Sequence, residues 1–74
     1  MPPLPVVSGD DVRRVLERLG WELAGQEGSH MLMRRPQGGR IPVPRHRELK
    51  PGTLRQIIRL SGLTVDEFVA MLER

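Results

Sequence analysis

The chain contains no cysteine and no tyrosine, one tryptophan, one phenylalanine and a single lysine, Lys50. Without cysteine there is neither a disulfide framework nor a thiolate metal site, so a small fold must hold by packing alone, and a reducing cytoplasm is the expected address. The longest unbroken apolar run, Phe68 to Leu72, is five residues, far below the roughly 20 that cross a bilayer, and no membrane role is expected. The opening Met-Pro-Pro-Leu-Pro has no basic residue and no hydrophobic stretch, so it does not read as a signal peptide. What is present is 74 residues at 8.4 kDa, the size of one domain over 1–74, with residues 1–7 expected to be a loose proline-rich start.

Charge is unevenly spread. Twelve Lys and Arg against nine Asp and Glu give a net charge of +3, and the pI near 11.0 overstates it, because so little titrates between neutrality and arginine. Residues 1–27 carry three Arg against five acids, residues 28–59 carry eight basic residues against Glu48 alone, and residues 60–74 are again acidic. The basic middle is almost all arginine, whose planar fork suits phosphate better than a lysine point charge.

The elements follow from periodicity. Ser8 with Asp11 has capping-box spacing, and Val12, Val15, Leu16 and Leu19 form one apolar stripe ended by Gly20, which predicts a first helix. From Trp21 to Arg35 the period is two, interrupted at Glu27-Gly28; after the turn Pro36 to Gly39 a short strand is expected from Arg40 to Val43. Pro51 suits a helix first turn, with Leu54, Ile57 and Ile58 as its stripe and Gly62 as its stop. Thr64 with Glu67 opens a last helix carrying Val65, Phe68, Val69 and Leu72. The reading is an α+β domain, α-β-β-β-α-α, whose antiparallel meander is covered by helices on one face. Alternation puts Trp21, Leu23, Met31, Met33, Ile41 and Val43 on the covered face; it puts Glu22, Ala24, Gln26, His30, Leu32, Arg34, Arg40 and Pro42 on the other.

The chemistry-bearing residues are few. The two histidines and scattered acids have no ligand spacing for zinc, and neither a Walker pattern nor G-x-G-x-x-G is present, so no metal and no small-molecule cofactor is expected. Most acids sit at helix starts, where capping accounts for them. His30 follows Gly28-Ser29 and should face outward; it is either an ordinary surface histidine or an acid-base group able to take a proton from a ribose 2'-OH. Ser29 is a turn residue or a phosphate-orienting helper. His46, after Pro44-Arg45, is a solvated loop histidine or an auxiliary that chain pairing brings near His30. Arg34, Arg35, Arg40, Arg45, Arg47 and Lys50 surround this region and suit backbone phosphates. With so few aromatics, recognition through shape and backbone is expected rather than base stacking.

Gly20-Trp21, Gly28-Ser29-His30, Val43-Pro44-Arg45-His46 and the run Leu49-Lys50-Pro51-Gly52-Thr53-Leu54-Arg55 with Ile57-Ile58, in this order and spacing, closely resemble the HicA toxins of bacterial and archaeal toxin-antitoxin pairs. The likeness runs from about Ser8 to the last helix. It implies a fold like the double-stranded-RNA-binding domain and a ribosome-independent endoribonuclease cleaving mRNA, with the histidine of Gly-Ser-His, here His30, as catalytic residue. It also implies a HicB-type antitoxin as partner. Many relatives carry lysine early in the first helix, where this chain has Asp10 and Asp11. Two other functions fit the residues: a non-catalytic RNA-binding module of the same fold, and a small protein-interaction domain whose arginines meet an acidic patch.

Overall fold

Two capping boxes and one helix-opening proline decide where the helices start. In the computed structural model, which describes residues 3–73, Ser8 caps α1 (Gly9–Arg18): the Asp11 amide donates to Ser8 Oγ at 3.1 Å and the Ser8 amide donates to Asp11 Oδ2 at 3.0 Å. Thr64 and Glu67 repeat the arrangement at α3 (Val65–Leu72), and Pro51 opens α2 (Pro51–Ser61), which Gly62 closes. Between α1 and α2 run β1 (Glu22–Glu27), β2 (His30–Arg34) and β3 (Arg40–Pro44), an antiparallel sheet in the order β1-β2-β3. The expected α-β-β-β-α-α order is the observed one.

The first box gives a test. The Ser8 backbone N–H, helped by the Ser8 hydroxyl and by Arg14 and opposed by partial burial, holds the Asp11 carboxyl below its ordinary value. A depressed folded-state pKa contributes stability that is fully present above the unfolded value near 3.9 and is lost as pH falls through the folded value. In urea melts below about pH 4, Asp11→Asn should therefore show a flatter acid limb than wild type. Ser8→Ala should cost about 1 kcal/mol at neutral pH.

One layer of helices packs on one face of the sheet. Val12, Leu16, Met33, Ile41, Val43, Leu54 and Phe68 are at most 1% exposed, each such side chain contributing roughly 1.5–3 kcal/mol by leaving water. Trp21 is buried as expected, with the Arg35 guanidinium 4.5 Å from its ring centroid. Arg35 Nε also donates to the Gly38 carbonyl, so this arginine braces the core edge.

Several expectations are corrected. Leu23 is 47% exposed: register places it beside Met33, but β1 is an edge strand and the helical layer leaves it uncovered. The pairing sum changes between Leu23 and Gly25, leaving Ala24 as an extra residue, a bulge that reverses the facing of everything after it. Gln26 therefore pairs with Met31, while Gly25 and Glu27 take the outer-face positions beside Leu32 and His30. The interruption falls at Gly28-Ser29, one residue later than expected, and β3 runs one residue further, to Pro44. As for the loose start, Met1 and Pro2 lie outside the described residues, but Val7 is 5% exposed, its carbonyl accepts the Leu49 amide at 2.9 Å, and Leu4 packs against the core.

Candidate active site

A two-residue turn sets up the site. Glu27 and His30 are partners across the β1-β2 hairpin, with Gly28-Ser29 between them. Gly28 has φ +56° and Ser29 does not share the positive φ, the conformation of a type II′ hairpin, which wants glycine first. Ser29 is thus a turn residue, and its carbonyl accepts the Arg45 amide. His30 then begins the central strand, exposed on the outer face, with Glu27 on one side and Pro44 on the other.

Two grooves of about 410 Å³ each meet at His30. The first lies over the β1-β2-β3 face, where Gly25, Glu27, Leu32, Arg40 and Pro42 join His30 in its lining. The second runs between β3 and the exposed side of α2, lined by His30, Pro42, Pro44, Thr53, Gln56 and Leu60 among others. Their size is in the range of ligand sites. Leu60 is 42% exposed.

The arginines divide into two groups. Arg34 and Arg40 are cross-strand partners on the outer face; among the described residues neither forms an ion pair, and like charges so placed repel until an anion enters. Arg40 shares the first groove with His30. Arg45 is instead drawn toward α1, its Nε 3.6 Å from Asp10 Oδ1, an oxygen that Arg13 also approaches at 3.9 Å. That oxygen is buried without a hydrogen bond. Arg47 and Lys50 are exposed in the connection from β3 to α2.

His46 is not brought to the grooves. Its carbonyl accepts the Gly9 amide at 2.9 Å, fixing the segment after β3 to the start of α1, and it lines neither groove. Sequence reasoning missed Glu27, Asp10 and the outer side of α2. The bulge hid the first, and only packing brings the other two to the region. Among the described residues no group of three or more His, Cys, Asp or Glu side chains could hold a metal ion, and no helix is long and apolar enough to cross a membrane.

These features define a class: a small α+β domain that covers one sheet face with helices and turns the other outward, with an exposed histidine where two grooves meet. The family described as HicA toxin of bacterial toxin-antitoxin matches residues 9–63, from the first residue of α1 to just past α2. The chain belongs to the HicA toxin family and is a toxin of a toxin-antitoxin system. No curated protein matches it.

Proposed function

We propose that this toxin is a ribosome-independent endoribonuclease that cuts mRNA in the cytoplasm, with His30 as its catalytic general base. One observation carries the reading: the single histidine of the outer sheet face stands at the junction of two grooves, on the same face as Arg34 and Arg40, which form no ion pair among the described residues. In this mechanism an imidazole nitrogen of His30 takes the proton of a ribose 2'-OH. The 2'-oxygen attacks the adjacent phosphorus, the bond from phosphorus to the 5'-oxygen breaks, and that oxygen takes a proton from solvent or from the imidazolium. The products are a 2',3'-cyclic phosphate and a 5'-hydroxyl. The base is supplied by the protein and the nucleophile by the RNA, so the scheme uses no metal and no cofactor. Arg34 and Arg40 hold backbone phosphates, with Arg47 and Lys50 adding to the field and Arg45 contributing when it leaves Asp10. A HicB-type antitoxin is the protein partner that would hold the toxin silent.

Incubation of the purified protein with 5'-labelled RNA and a matched DNA, with and without EDTA, tests this reading. RNA-only cleavage that persists in EDTA and leaves cyclic phosphate ends is expected. Intact RNA bound in a salt-dependent way would select the non-catalytic module instead, and no RNA binding at all would select a protein-interaction domain. Arg40→Gln should weaken binding across sequences and reduce the slope of log K against log salt by about 0.7, the value for one lost phosphate contact on a single strand. An unchanged slope in a titration from low to high salt would remove Arg40 from the interface.

A further inference from the structure

We propose that the two grooves meeting at His30 each receive one of the two nucleotides flanking the cleaved bond, and that the substrate is therefore single-stranded RNA. The inference rests on the ribonuclease reading and extends it to the state of the RNA.

The argument starts from the lining. A duplex offers a protein its phosphates and 2'-hydroxyls, with the bases stacked inside; a surface built for it needs cations and hydrogen-bonding groups. Here the first groove sets Leu32 and Pro42 beside the polar Gln26, Glu27 and Arg40, whereas Pro44 and Leu60 make the second mostly apolar. Apart from His30, the described residues lining the second groove include no Asp, Glu, Lys or Arg. An apolar lining next to a phosphate-holding arginine and an acid-base histidine matches an unstacked nucleotide, with an apolar base beside an anionic backbone. Both grooves share His30 and Pro42, so a strand crossing the sheet would place one base in each and its linking phosphate at His30. The first groove includes Arg40, which can meet a neighbouring phosphate.

The reaction has the same requirement. Attack by the 2'-oxygen needs that atom opposite the leaving 5'-oxygen across phosphorus, and the regular stacked backbone holds it out of line. Seating the two bases in separate grooves turns the flanking riboses apart and allows the in-line geometry, as enzymes that act on a base first draw it out of the stack. Stacking on aromatics is not required. Leucine and proline offer apolar contact without hydrogen-bonding groups, so discrimination among bases should be weak.

The experiment compares one labelled RNA as a single strand and annealed to its complement, with wild type, Leu60→Asn and Leu32→Asn. Leu60 is 42% exposed, so its replacement should not disturb the core. Single strand is expected to be cut at least about tenfold faster than duplex, and each substitution to raise KM for the single strand by about three- to tenfold. The double variant should show the product of the two effects, because separate grooves act independently. Equal cleavage of both forms, or a KM unmoved by both substitutions, would overturn the proposal while leaving the ribonuclease reading intact. If neither form is cut, the ribonuclease reading fails, and fluorescence anisotropy on the same strands decides the grooves. Preferential single-strand binding weakened by Leu60→Asn supports them, and equal binding of both forms overturns them.

Discussion

Replacing His30 by alanine is expected to lower the rate of RNA cleavage by about 10² to 10⁴-fold, the usual contribution of one positioned acid-base group, with little change in melting temperature. Both halves follow from position. His30 is exposed at the first residue of β2 and is not a member of the buried cluster, to which the sheet contributes from its other face. An exposed substitution of this kind usually changes stability by no more than about 0.5 kcal/mol. A thermal melt together with single-turnover cleavage separates loss of chemistry from loss of fold. His30→Gln should be as inactive as His30→Ala: it keeps size and hydrogen bonding but cannot accept a proton at neutral pH. Wild-type cleavage by either variant would remove His30 from the chemistry.

The second large effect is structural. Gly9→Ala should destabilise the domain by about 3 kcal/mol, the upper range for an overpacked site, and lower Tm by more than about 10 °C for a chain this short. A Cβ on Gly9 would land on the Pro44 carbonyl oxygen and come within 3.1 Å of Arg45 Cα. These are backbone atoms, which cannot rotate away as a side-chain tip would. Gly9 also donates to the His46 carbonyl, so any shift that makes room loosens the end of β3 that lies beside Ser29 and His30. Gly52→Ala is the contrasting case. Its Cβ would meet nothing within 4 Å in a helical conformation, and it should be neutral or stabilise by about 0.4–1 kcal/mol. Chemical denaturation of the two variants side by side checks the pair, and similar stabilities would refute the packing argument at Gly9.

How far these positions could be read without the structure varies with the range of the interaction. The caps at Ser8 and Thr64, the proline start at Pro51 and the glycine stop at Gly62 are local arrangements of three or four residues, and each lies where periodicity and side-chain chemistry put it. The inward facing of Met31, Met33, Ile41 and Val43 was equally legible, since a period of two with branched or long apolar residues has one sensible orientation. Gln26 was misread because the bulge puts one extra residue, Ala24, into β1, and nothing in Leu23-Ala24-Gly25 announces it. Leu23 keeps its expected register and is exposed because the helical layer does not reach this edge strand. The anchoring of the segment after β3 was not legible, because the His46 carbonyl accepts the amide of Gly9, far away along the chain.

The amino-acid sequence by itself determined the element order, the helix boundaries, the outward facing of His30 and, through the Gly28-Ser29-His30 and Leu49 to Arg55 motifs, the family to which the matched residues belong. Each of these depends on neighbours along the chain, where spacing alone fixes geometry. The tertiary structure decided what surrounds His30: Glu27 beside it through a bulge, α2 standing against β3 to form the second groove, and Arg45 drawn off toward Asp10. Those relations join residues far apart in the chain, and their geometry is set by how the helices bury their apolar stripes on the sheet, which no local pattern encodes.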